Sequence, residues 1–193
     1  MEFLRKHRGW LLAIILLGGL MAIFDRWRTY HEDSQDTHIL AAARKYGVDP
    51  ALIKAVVWRE SGFNPGARGK AGEIGLMQLT DGAAQEWADA EHIVLYRHAQ
   101  LFDPGKNALA GTWYLRKMLR RYAHTDNPTA YALSDYNAGR GNVLRWNKGL
   151  ASTKSAEFLK RMDFPGTRDY VRSILKRQAR YERAFPRKNK TPV

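Results

Sequence analysis

The 193-residue chain contains no cysteine. That absence excludes a disulfide framework, a thiolate zinc site, a cysteine nucleophile and lipid attachment through an N-terminal cysteine. It leaves the compartment open, because many exported proteins lack disulfides. Acids are scarce: 19 Asp and Glu stand against 32 Lys and Arg, for a net charge of +13. The histidines are scattered, with no His-x-x-x-His or similar ligand spacing, so no metal site is expected. Alternating Val/Ile/Thr runs are few. There is no internal repeat, and no low-complexity tract beyond the basic tail "PRKNKTPV".

The charge is unevenly spread. Residues 1–37 hold five basic side chains (Arg5, Lys6, Arg8, Arg26, Arg28) and five acidic ones (Glu2, Asp25, Glu32, Asp33, Asp36), so the remainder carries the whole excess. Such a surface attracts polyanions: nucleic acid, anionic headgroups or an acidic cell-wall polymer.

In "RKHRGWLLAIILLGGLMAIFDRWR" a basic cluster precedes an uncharged run from Gly9 to Phe24, which Asp25 ends. This is the pattern of an export signal. The run is short against the ~20 apolar residues usual for a membrane span, and its length fits a cleavable signal. Against cleavage, no small-x-small pair closes it, and Trp10 and Trp27 bracket it as interfacial aromatics do. The favoured reading is an uncleaved signal anchor over 1–28, with a transmembrane helix at about 9–24 and a polar linker over 29–37. The basic leader would stay in the cytoplasm and the domain would emerge outside. A removed signal peptide and a buried helix of a soluble protein are the alternatives.

From Thr37 onward apolar residues recur at intervals of three and four, so an all-α domain is expected over 38–185, followed by a basic tail at 186–193. Its length allows a core without staples. Thr37 reads as a cap and Gly47 as a stop. Asp49 reads as an N-cap with Pro50 at the first helical position, and that helix closes at Gly62. Further helices are expected after Thr80, after Asp103-Pro104, after Asn127-Pro128 and after Gly141, and over "STKSAEFLKRM" and "TRDYVRSILKRQARYERAF".

In "PALIKAVVWRESG" Leu52, Ile53, Val56 and Val57 make a broad apolar face, and Glu60 falls in the last turn. The carbonyl end of a helix disfavours negative charge there. A carboxyl near unpaired carbonyls and apolar neighbours tends to keep its proton, which is the state a general acid needs. The plainer reading is a solvated residue paired with Arg59 or Lys54. The neighbouring segment favours chemistry: "SGFNPGARGKAGEIGLMQL" spreads Gly62, Gly66, Gly69, Gly72 and Gly75 along a stretch too irregular for a helix. Such backbone can pass close to a ligand. Met77 and Gln78 then add a soft apolar contact and an amide that both donates and accepts, a mixture suited to a sugar.

Three ordered motifs carry a resemblance: "ESGFNP" leading to "GEIGLMQ", then "YNAG" at Tyr136 to Gly139, then "PGTRDYV" from Pro165 to Val171. Together they resemble the catalytic domain of the soluble lytic transglycosylase family, whose goose-lysozyme-like fold cleaves peptidoglycan. The resemblance spans about Ile39 to Leu175. It implies an all-α lysozyme-like domain in which Glu60 is the sole acid/base, Met77 and Gln78 line the sugar cleft, and Tyr136 with Asn137 faces Glu60 from a neighbouring helix end. Without the family, Tyr136 reads as a core aromatic and Asn137 as part of an ordinary helix end. Three positions depart from the family: Gly69 where many members have Ser, Gly166 where Glu is common, and Glu73 where a small residue is frequent.

The implied reaction needs no metal or cofactor: Glu60 protonates the MurNAc–GlcNAc glycosidic oxygen, then takes the C6 hydroxyl proton as a 1,6-anhydro ring closes. The partner is peptidoglycan, and nucleic acid is not expected. The implied location is the bacterial inner membrane, with one span and the domain on the periplasmic side. One alternative is a hydrolytic muramidase in which Glu73 or Asp135 orients water. Another is a membrane-tethered, non-catalytic basic module, supported by "LRKMLRRY" and "LKRQARYERAFPRKNK".

Overall fold

A computed structural model describes residues 2–184, with residues 2–9, 11, 12 and 184 by their backbone alone. The basic tail over 186–193 and the side chains of Arg5, Lys6 and Arg8 therefore lie outside the described residues. The described helices are α1 (Glu2–Asp33), α2 (Asp36–Tyr46), α3 (Pro50–Ser61), α4 (Asp81–Ala90), α5 (Pro104–Arg121), α6 (Pro128–Ala138), α7 (Arg140–Trp146), α8 (Ser155–Arg161) and α9 (Pro165–Ala184), with 3-10 turns at His98–Phe102 and Gly149–Ser152. The chain forms two units, one ending at Ser34 and the other beginning at Gln35.

The first unit is α1 alone. Residues 29–33, expected as linker, continue this helix. The expected transmembrane helix requires correction: among the described residues no helix is long and apolar enough to cross a membrane. The reason is length. The uncharged run from Gly9 to Phe24 rises about 24 Å at ~1.5 Å per residue, against a hydrocarbon core of ~30 Å. The membrane tether, the membrane as a partner and the single-pass inner-membrane location all rested on that helix, and they fall with it.

In the second unit the helix boundaries follow local chemistry. Asp49 accepts a hydrogen bond from Ala51 N at 2.9 Å, ahead of Pro50. Thr80 caps α4, Asp103 caps α5 ahead of Pro104, and Asn127 caps α6 ahead of Pro128, each through its side chain. Gly47 and Gly62 end α2 and α3 in the left-handed conformation, with φ of 66° and 57°. The first cap differs from expectation: α2 begins at Asp36 after Gln35, and Thr37 lies inside it. Asp36 instead pairs with the buried Lys54, whose Nζ donates to Oδ2 at 3.0 Å.

α3 is buried continuously from Ala51 to Val57, so it is a central core helix rather than a surface one. It packs against α2 and α9, while α5 packs against α2, α4 and α6, and α6 against α9. The main core gathers Ile53, Val56, Val57, Leu76, Met77, Leu115, Leu133, Val171 and Ile174. A second core joins Tyr131, Val143, Trp146, Phe158 and Met162, and Tyr136 packs against both. A helix that enters the core and exits at Glu60 sets an acid at the edge of dense apolar packing.

Candidate active site

Glu60 is the last acid on α3 before Gly62 turns the chain, and Phe63 comes next at a φ of 68°. A left-handed non-glycine residue costs on the order of 1 kcal/mol or more, and burial of the Phe63 ring offsets it. Asn64 Oδ1 then accepts from Gly66 N at 2.9 Å, closing the Asn-Pro turn. The arm folds back on itself through Gly69 N to Glu73 O at 2.7 Å, Gly75 N to Ala67 O at 2.9 Å and the paired bonds between Ile74 and Leu79 at 3.1 Å.

The arm is fastened by Asn107, which sequence reasoning missed. This fully buried side chain on α5 accepts from Met77 N at 2.8 Å and donates to Ile74 O and Leu101 O, each at 2.9 Å. Gly75 makes room for it: a Cβ there would lie 2.1 Å from Asn107 Nδ2 and 2.5 Å from Leu101 O. Nothing in the sequence distinguishes Asn107 from a solvated amide in a helix.

Met77 is fully buried, with its sulfur against Gly111 of α5, where a Cβ would approach to 2.4 Å. Its side chain is therefore part of the packing, and the polar group it contributes is its carbonyl, which accepts from the Tyr136 hydroxyl at 2.7 Å. Gln78 has a φ of 46°, and its Nε2 donates to Gly75 O at 2.9 Å. Asn137 is exposed at the end of α6, and its Oδ1 accepts from Thr167 Oγ1 at 2.8 Å. Tyr136 and Asn137 thus join the Gly-rich arm to the start of α9.

The closest partner of Glu60 comes from α9, where the Tyr170 hydroxyl donates to Glu60 Oε1. Tyr170 lies within the "PGTRDYV" motif, yet the sequence gives no sign that its hydroxyl reaches the acid. Burial pushes the Glu60 carboxyl from 4.5 up to about 7, against the lowering effects of the Tyr170 hydrogen bond and the Arg59 charge, while the Glu73 charge adds to the rise. Burial, and then the charge on Glu60, hold the phenols of Tyr136 and Tyr170 well above their ordinary value, so both stay protonated. Arg59 lies over the Tyr170 ring, 5.6 Å from its centroid. Of the two partners considered for a solvated Glu60, Lys54 is paired with Asp36, while Arg59 lies over the Tyr170 ring and acts on Glu60 through its charge.

Of the two other candidate carboxylates, Asp135 is 3% exposed and accepts through Oδ2 from Arg121 and from the Tyr122 hydroxyl, the latter at 2.8 Å. It is a buried ion-pair member. Glu73 lies on the arm, where its Oε2 accepts from Ala71 N at 3.0 Å. The arrangement is one half-buried carboxyl poised near neutrality, two protonated phenols and a wall of loop backbone.

Residues 37–159 match the family model described as "Transglycosylase SLT domain". The chain is 43% identical over 110 residues to the membrane-bound lytic murein transglycosylase C of Klebsiella pneumoniae, an alignment covering 54% of this chain and 31% of that protein. It thus spans less than a third of that relative's length. Among solved structures, an inactive mutant of the lytic transglycosylase Slt from Pseudomonas aeruginosa superposes with a TM-score of 0.70 at 28% identity, over 77% of this chain and 24% of that one. The 70 kDa soluble lytic transglycosylase from Escherichia coli gives a TM-score of 0.64 at 28% identity, over 72% and 22% of the two chains.

Proposed function

Because the chain belongs to the transglycosylase SLT domain family, we propose that it is a lytic transglycosylase that cleaves the MurNAc–GlcNAc bond of peptidoglycan without water, with Glu60 acting first as acid and then as base. The catalytic unit is assigned to residues 38–185. The observation that carries this reading is the Glu60 carboxyl, raised by burial to about 7 and held by Tyr170. A group at that value is protonated in a useful fraction at neutral pH and, once ionised, is basic enough to recover a proton.

The steps balance on one carboxyl. Glu60 gives its proton to the glycosidic oxygen as the bond from that oxygen to C1 breaks, and positive charge develops at C1. The resulting carboxylate takes the proton of the C6 hydroxyl as the C6 oxygen bonds to C1, closing the 1,6-anhydro ring. Glu60 ends protonated. Most glycoside hydrolases use a second carboxylate as nucleophile or as the base on water, and an internal C6 hydroxyl nucleophile removes the need for it. The engagement of Asp135 with Arg121 and Tyr122 supports this reading over one in which Asp135 orients water. Tyr170 and Tyr136, kept as neutral donors, steady the carboxylate and the arm through the cycle. Gln78 lines the cleft beside the arm, Met77 forms its buried floor, and Asn137 anchors its rim to Thr167.

The test is mass spectrometry of peptidoglycan sacculi digested with the full chain. Anhydromuropeptides are expected, and they should be absent with Glu60→Gln. Reducing MurNAc ends would overturn the proposal.

A further inference from the structure

Gly69 has no conformational reason to be glycine. Its φ lies outside the left-handed region, unlike those of Gly62, Gly72 and Gly75, so its backbone would accept a side chain. The obstacle is another residue. A Cβ at 69 would sit 2.2 Å from Glu73 Oε2, 2.9 Å from Glu73 Cδ and 3.0 Å from Gln78 Oε1. The carboxylate of Glu73 therefore occupies the space that a side chain at 69 would fill. It is held there by the Ala71 N–H on Oε2 and by the backbone bond from Gly69 N to Glu73 O.

This arrangement brings two acceptors together. Glu73 Oε2 and Gln78 Oε1 both lie within 3.0 Å of one point above Gly69. Both residues are half-buried, and the amide nitrogen of Gln78 is already used on Gly75 O. Glu73 Oε2 keeps acceptor capacity beyond its bond from Ala71 N, and Gln78 Oε1 is an acceptor beside it, so the two oxygens offer one partly open space where a donor can bridge them.

We propose that Gly69 and Glu73 form a matched pair that places the Glu73 carboxylate beside Gln78, where the two oxygens receive a hydrogen-bond donor, a hydroxyl or amide N–H, of the bound glycan. The inference rests on the glycan reading of this site. It makes Glu73 a substrate-binding residue supplied from the opposite side of the arm turn to the position left bare at 69. The carboxylate has a second effect: its charge holds the proton on Glu60 more firmly. The other groups acting on Glu60 are Tyr170 from α9 and Arg59 from α3, and the protonated Tyr136 phenol from α6 feels the Glu60 charge in turn.

The test compares the full chain with Glu73→Gln, Gly69→Ala and the double variant, following kcat and KM on soluble glycan strands. Gly69→Ala should fold as well as the parent, because the atoms it meets are the ends of the Glu73 and Gln78 side chains and no backbone, and its melting temperature checks this. Each single change should raise KM roughly tenfold, the worth of one hydrogen bond to a charged acceptor, with kcat within about twofold. The double variant should be no worse than either single one, since both remove the same carboxylate. Glu73→Gln should also move the alkaline limb of the pH profile downward. An unchanged KM in Glu73→Gln, or losses that multiply in the double variant, would overturn the pairing. Binding to the same strands, measured by calorimetry in the Glu60→Gln background, separates the two levels. Weaker binding on adding Glu73→Gln supports the pair even if the parent releases no anhydro ends, whereas unchanged binding there refutes the pair.

Discussion

The hydroxyl of Tyr170 donates to Glu60 Oε1 across 110 residues of sequence. This bond opposes the effect of burial, stabilising the carboxylate and holding the acid lower than burial alone would. Tyr170→Phe should therefore move the alkaline limb of kcat/KM upward from about 7, because the native carboxyl keeps its proton to higher pH. Losing one hydrogen bond to the base form should cost roughly three- to tenfold in kcat. A downward shift of the limb would contradict this role.

Glu60 also links pH to stability, with a definite sign. Its folded value, about 7, lies above its unfolded value near 4.5. The protonated group thus favours the fold fully below 4.5, and that contribution is lost as pH rises from there through 7. Glu60→Gln, which cannot ionise, should be more stable relative to the parent at pH 8 than at pH 4, by up to roughly 3 kcal/mol. Urea unfolding at the two pH values measures the difference. The same variant should lose about a thousandfold in activity.

Asn107 should behave as a fastener whose loss disturbs the cleft from within the core. Asn107→Ala leaves Met77 N, Ile74 O and Leu101 O without their partner at a fully buried position. Roughly 2–4 kcal/mol of stability should go, measurable by urea unfolding. Activity should fall well beyond the unfolded fraction, because the freed segment carries Gln78 and the carbonyl that holds Tyr136.

Legibility in the sequence tracked the range of the forces involved. Asp49-Pro50, Asp103-Pro104 and Asn127-Pro128 announce helix starts because a cap is a matter of three or four residues, and all three cap as expected. Thr37 misled because the competing Asp36 is drawn to Lys54, eighteen residues away. Glu60 stands out in the sequence as a candidate acid at the end of an apolar helix, and burial there raises its carboxyl to about 7. Tyr170 as its partner, Asn107 as the fastener and Glu73 in the space at Gly69 depend on packing between distant segments, which periodicity does not encode. Met77 shows the same limit: a soft side chain beside a glycine-rich arm reads equally as a ligand contact or as core, and here it lies in the core. The membrane helix was inferred from composition and flanking charge, where length was the deciding quantity.

Asp135 provides a test that separates architecture from chemistry within one helix. It precedes Tyr136 directly, but it faces Arg121 and Tyr122, which bond to it in a site where the carboxylate is 3% exposed. Removing the acid strands a partly exposed guanidinium and a buried phenol. Asp135→Ala should therefore destabilise the chain by about 3 kcal/mol, the lower end of the range for breaking a buried pair because a quarter of the Arg121 side chain still meets water. Asp135→Asn, which keeps an acceptor for Tyr122, should cost less. Both variants, assayed below their melting temperatures, should still release anhydromuropeptides with kcat within a few-fold of the parent. A variant that stays folded yet stops cleaving would instead move Asp135 from the scaffold to the reaction, and would require a second carboxylate in the mechanism.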